Sequence, residues 1–158
     1  MRVLGVDPGY HRTGVAVVDR LGNKLTLLES HLIETDRKST FAARLSDVYD
    51  GVSSLISRYS PDAVAVEELF FAKNVKTAIG VAHARGVVLL AADQASIPVF
   101  EYKPSTIKLS VTSNGAATKV QVSFMVKRIV GVDLDGRTDD EVDAIAVAIC
   151  HAFTAKQI

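Results

Sequence analysis

The feature that most restricts the fold is the order of strand-like and helix-like segments in the first 68 residues. Residues 2–7 (RVLGVD), 13–19 (TGVAVVD) and 24–33 (KLTLLESHLI) are rich in β-branched residues and leucine, and short turns such as Leu21-Gly22-Asn23 separate them. Three strands joined this closely pair antiparallel. From Thr40 to Tyr59 the apolar residues Phe41, Leu45, Val48, Val52, Leu55 and Ile56 recur at helical spacing, and Ser60-Pro61 ends the run. A short apolar strand, Ala63 to Val66 within DAVAVEE, follows. A strand reached through a crossover helix lies parallel to a neighbour, so the chain predicts a mixed α/β sheet.

Two of these strands end on acid: the first at Asp7, just before Pro8-Gly9, and the fourth at Glu67 and Glu68. Asp-Pro-Gly is ordinary turn chemistry. A strand end is also a rigid place to hold a charge that a metal or phosphate needs. If the first and fourth strands are parallel neighbours, Asp7 and Glu67 share one sheet edge.

Downstream, residues 73–95 read as a helix rich in small residues, with Ala78, Gly80, Ala82, Ala84 and Gly86 close together. That composition suits either a buried core helix or a contact between two copies. Residues 97–102 return as a strand, and Ser113-Asn114-Gly115 is a loop. Thr118-x-x-Gln121 opens a helix to about Val130, and Thr138-x-x-Glu141 opens a final one to about Thr154, both as capping boxes. On the last helix, Asp140 and Asp143 project from the side that carries Ala144, Val147 and Cys150, so Asp143 points inward. An inward acid without a basic partner is costly, and clustered acids hold protons unless a cation sits among them. A hard divalent metal resolves that conflict. Asp139, at the first helical position after Thr138, is satisfied by solvent and the helix dipole.

At 158 residues, 48% of them apolar with only four prolines, the chain is expected to form a single domain over residues 1–158. No apolar run approaches the roughly 18 residues of a membrane span. Met1 leads straight into a strand, so no signal peptide is expected. The lone Cys150 leaves no internal disulfide and no cysteine-based zinc site, which fits a reducing, cytoplasmic setting. His11, His31, His83 and His151 show no ligand spacing. Net charge is zero, yet residues 71–130 hold eight Lys/Arg against two Asp/Glu, whereas residues 131–158 hold two against six. A basic middle beside acidic flanks places a phosphate-attracting face next to a candidate metal site. Lys119, opening a helix after Thr118, offers phosphate both its ammonium and the amides of the helix start.

The stretches LGVDPGYHRTGVAVVD, AVEELFFAKNVKTAIGVAHARGVVLLAA, VFEYKPSTIK, TKVQVSFMV and DDEVDAIAVAICHA together resemble the RuvC Holliday-junction resolvases, in order and over nearly the whole chain. The resemblance implies a ribonuclease-H-like nuclease domain: a five-stranded mixed sheet, three antiparallel strands then parallel additions, flanked by helices. It implies four catalytic, metal-binding acids at Asp7, Glu67, Asp140 and Asp143, with Lys119 beside them and Lys108 as a second basic position. The implied chemistry is Mg²⁺-dependent phosphodiester hydrolysis with two ions per site, Mn²⁺ being a plausible substitute, leaving 5′-phosphate and 3′-hydroxyl ends.

The implied substrate is four-way junction DNA, nicked symmetrically by a homodimer during recombination and repair, with the RuvA-RuvB branch-migration complex as partner. Phe70 is expected to stack on an unpaired base and Phe71 to pack, with Lys73, Asn74, Lys76 and Arg85 available to the DNA backbone. In the loop before Lys119, where the family often carries Gly-x-Gly-Arg, this chain has Ser113-Asn114-Gly115-Ala116. Two rival readings are a single-lobe relative of the actin and sugar-kinase ATPases, prompted by Asp7-Pro8-Gly9 with Thr13-Gly14, and a junction-binding protein without activity.

Overall fold

The computed structural model of the chain describes residues 1–68 and 75–155, and for Val75 and Lys76 the backbone alone. Phe70, Phe71, Lys73, Asn74 and the side chain of Lys76 therefore lie outside the described residues. Five strands form one sheet: β1 (Arg2–Asp7), β2 (Arg12–Leu21), β3 (Lys24–Glu34), β4 (Ala63–Glu67) and β5 (Val99–Tyr102), in the order β3-β2-β1-β4-β5. The pairs β1·β2 and β2·β3 are antiparallel, and β1·β4 and β4·β5 are parallel. This is the mixed sheet that the segment order predicts.

Period-two alternation sorts the strand side chains onto two faces. Leu4, Val6, Val15, Val17, Val64 and Val66 pack against α1 (Phe41–Tyr59) and α2 (Val75–Gln94). Val3, Ala16, Val18 and Ala65 pack on the other face, against α3 (Pro104–Thr112), α4 (Lys119–Val130) and α5 (Asp139–Thr154). Helix α5 is apolar on nearly all sides, and its residues from Ala144 to Ala152 are buried.

The two helical layers meet the sheet differently. Beneath α5 the sheet carries Gly5, Gly14, Ala16 and Ala65, so backbone lies against backbone. A Cβ added at Gly5 would come within 2.2 Å of the Ala144 carbonyl oxygen. One added at Gly14 would come within 1.9 Å of the Asp140 carbonyl oxygen. No real Cβ fits at either position, so α5 is held in a fixed register on β1 and β2.

Both capping boxes form. Thr118 Oγ1 accepts from the Gln121 amide and the Gln121 side chain accepts from the Thr118 amide, and Thr138 and Glu141 do the same. Helix α3 is an element that the sequence reading does not contain. Its N-cap, Lys103, makes no side-chain capping bond, and only Ile107 and Val111 of its nine residues are buried.

Candidate active site

The same alternation that sorts the core also decides where the strand-end acids go. Asp7 continues the series Val3, Gly5 and Glu67 continues Ala63, Ala65, so both carboxylates fall on the face that α5 covers. Their strands are parallel neighbours, with Val6 opposite Val66. The next residue on each strand is the acid, which brings the two carboxylates within each other's electrostatic reach. Helix α5 supplies the other two acids from its first turns, directly over Gly14, which is itself the cross-strand partner of Asp7.

Burial pushes the Asp7 carboxyl well above the usual carboxylate range, and the charges of Glu67, Asp143 and Asp140 push it further. Glu67 is raised as well, first by burial and then by Asp143. Burial also raises Asp143, and it outweighs the nearby Lys119 ammonium. Burial and like charge thus both work against a full double charge on the Asp7–Glu67 pair.

Two cations draw the outer acids aside. Arg12, at the start of β2, meets Asp140 Oδ2 at 2.8 Å. Lys119, the first residue of α4, lies 3.4 Å from Asp143 Oδ2 and 3.7 Å from Asp139 Oδ2, and Asp143 is what chiefly raises its pKa. Among the described residues, no three His, Cys, Asp or Glu side chains stand as a closed metal-ligating cluster. The donor set nonetheless suits a hard divalent cation: four carboxylates converge from three elements, the inner two are destabilised by mutual repulsion, and no thiol or imidazole is among them.

The site opens into a cavity of about 240 Å³ lined by Glu67, Lys108, Lys119 and Asp143, with Pro104, Ile107, Val122, Ala146 and Val147 as its apolar wall. Lys108 thus lines the cavity, and its charge acts on Glu67. Asp139 points to solvent, with 83% of its side chain exposed against 30% for Asp140. Arg85 is not brought to this cleft; it is ion-paired to Glu101 of β5.

Three contributors are missing from the sequence reading. Arg12 carries no pattern that marks it. Gly14 reads as a residue of the second strand in the sequence and reveals its purpose only once α5 lies on it. Buried Arg44 of α1 donates from Nε to Thr35 Oγ1 at 3.0 Å and from Nη2 to the Tyr10 carbonyl at 2.8 Å, pinning the loop that follows Asp7. Thr13 closes the same loop with a hydroxyl bond to the Gly9 carbonyl.

A family profile described as crossover junction endodeoxyribonuclease RuvC matches residues 3–151. The RuvC protein of Chloroflexus aggregans is 48% identical over 155 residues, covering 98% of this chain and 94% of that one. The RuvC protein of Desulforamulus reducens is 45% identical, covering 96% and 93%. Among solved structures, Thermus thermophilus RuvC in complex with a Holliday junction substrate superposes with a TM-score of 0.92 at 36% identity, covering 97% of this chain and 93% of that one. The yeast mitochondrial Holliday junction resolvase Ydc2 shares the fold, with a TM-score of 0.67 at 14% identity.

Proposed function

This chain belongs to the RuvC family of crossover junction endodeoxyribonucleases, and we propose that Asp7, Glu67, Asp140 and Asp143 are the carboxylates with which it resolves Holliday junctions. It is a divalent-metal-dependent endonuclease of recombination and repair. The observation that carries the residue assignment is the buried Asp7–Glu67 pair at one sheet edge, facing the two acids of α5.

Asp7 and Glu67 would hold the inner side of the metal and Asp140 and Asp143 the outer side. Mg²⁺, two ions per site, is the cation the all-oxygen donor set favours, with Mn²⁺ able to replace it. A bound cation supplies Lewis acidity, lowering the pKa of the attacking water and neutralising charge on the phosphate and the leaving 3′ oxygen. Ligation would need Asp7 and Glu67 as carboxylates, the charged forms that their burial disfavours. Lys119 and Lys108 line the cavity beside Glu67 and Asp143, where their ammonium groups attract the backbone phosphate and set its approach. The products are a 5′-phosphate and a 3′-hydroxyl.

A four-way junction presents two symmetric strands, and each chain carries one site, so the working unit is a homodimer. Helix α2 supports this reading: Ile79, Gly86 and Leu90 form an exposed stripe along it, with Ile79 52% and Leu90 49% accessible. Phe70, Lys73 and Asn74, between Glu67 and that helix, and Lys76 within it complete the proposed DNA contacts, and RuvA-RuvB is the proposed branch-migration partner. Arg85, engaged with Glu101, reaches DNA only if that pair opens.

The test is cleavage of a synthetic four-way junction in Mg²⁺. Asp7→Asn is expected to abolish nicking and leave junction binding, measured by gel shift, within about twofold, because phosphate affinity comes from Lys and Arg. Full cleavage by Asp7→Asn would remove it from the catalytic set. Loss of binding together with cleavage would assign it a folding role.

A further inference from the structure

We propose that Arg12 is a built-in rival of the divalent cation for Asp140, so that this one guanidinium sets how tightly the site takes metal. The inference rests on the reading of the four acids as ligands. Arg12 Nη2 lies 2.8 Å from Asp140 Oδ2, on an oxygen that would otherwise be free to ligate. The pair is fixed by backbone and not only by flexible side chains. Arg12 and Gly14 lie on the same face of β2, and the bare Gly14 brings the peptide of Asp140 down onto that strand.

Lys119 is a weaker rival for Asp143: its ammonium is 3.4 Å away, 71% exposed, and shared with Asp139. Arg12 is the shorter and undivided contact. Asp140 is thus in place and ion-paired.

The pair is partly exposed, at 45% for Arg12 and 30% for Asp140, so its effect on affinity is modest. The experiment is calorimetric titration of Mn²⁺ into the full-length, DNA-free protein, comparing wild type, Arg12→Gln, Arg12→Lys, Lys108→Gln and Asp140→Asn, with thermal melts to verify folding. Arg12→Gln is expected to bind Mn²⁺ about two- to fivefold more tightly than wild type, the range set by removing one partly exposed ion pair. Arg12→Lys, which keeps the charge, should remain near wild type.

Unchanged affinity in a folded Arg12→Gln overturns the proposal. So does an equal gain in Lys108→Gln, because Lys108 lines the cavity without touching Asp140 and would report a general field in place of a contact. Wild-type affinity in Asp140→Asn, or no Mn²⁺ binding by any variant, would instead overturn the ligand reading, and the inference with it.

Discussion

The two faces of the sheet are covered by helices that solve different problems. On one face, α1 and α2 meet the strands through branched side chains: Val48, Val52, Leu55, Ile56 and Val88 against Leu4, Val6, Val15, Val17, Val64 and Val66. Such a layer tolerates small adjustments because side chains can repack. On the other face, α5 touches β1 and β2 through glycine and alanine, with no side chain between the backbones at Gly5 and Gly14. That layer cannot adjust, and it is the one that carries Asp140 and Asp143. Rigid registration is spent where carboxylates from distant segments must meet, and α2, on the looser layer, leaves its apolar stripe to solvent.

The hardest way to break this contrast is to put a methyl group in the rigid layer. Gly14→Ala drives a Cβ into the Asp140 carbonyl oxygen, which no rotamer relieves. We expect a loss of at least about 3 kcal/mol in urea unfolding together with loss of junction cleavage. A variant as stable and active as wild type would show that α5 is free to lift.

The contrast also operates within a single turn of α5. Asp140 faces the cleft beside Arg12, and Asp139, its neighbour at the first helical position, faces water. Asp140→Asn should lower single-turnover cleavage by at least about a hundredfold, roughly 2.7 kcal/mol, whereas Asp139→Asn should cost less than about tenfold. The reverse ranking would move the ligand to Asp139.

The looser layer gives the opposite sign. A Cβ at Gly86 of α2 meets nothing within 4 Å, so Gly86→Ala should stabilise the chain by about 1 kcal/mol through helix propensity. If a partner's backbone rests on Gly86 in the dimer, the same methyl group weakens self-association, which sedimentation would read separately from monomer stability.

The smallest effect concerns the far end of α5. His151 is 2% exposed, its Nδ1 lies 2.7 Å from the Tyr102 hydroxyl, and burial lowers its pKa below the ordinary 6.5. The unfolded chain then takes up a proton before the folded one, so this stability is present above pH 6.5 and is lost as pH falls through the folded value. His151→Gln keeps an acceptor for Tyr102 and should lose less stability than wild type between pH 7 and 5. Parallel pH profiles in chemical unfolding would remove His151 as the cause.

Much of this arrangement is legible in the sequence because it is local or periodic. The meander, the crossover and both capping boxes follow from spacing alone, and the Asp7–Glu67 encounter follows from two strands ending on acid once they are parallel neighbours. What escapes is whatever depends on an unrelated segment. Arg12 matters only because Asp140 arrives above it, and Gly5 and Gly14 read as strand residues until α5 presses on them. Arg44 interrupts the apolar stripe of α1 and is buried because its partners are oxygens on Thr35 and Tyr10. Helix α3 escapes for the opposite reason: it is short, uncapped by any side chain, and buries too little to impose a period.

The placement of α5 also has a consequence for timing during synthesis. The four acids stand at residues 7, 67, 140 and 143, and the last pair, on α5, is synthesised long after the first two. A nascent chain that has completed the sheet holds only two of the four acids, and closing so long a loop is among the slower steps of folding. On the assignment proposed above, strand cutting waits until α5 seats on Gly5 and Gly14.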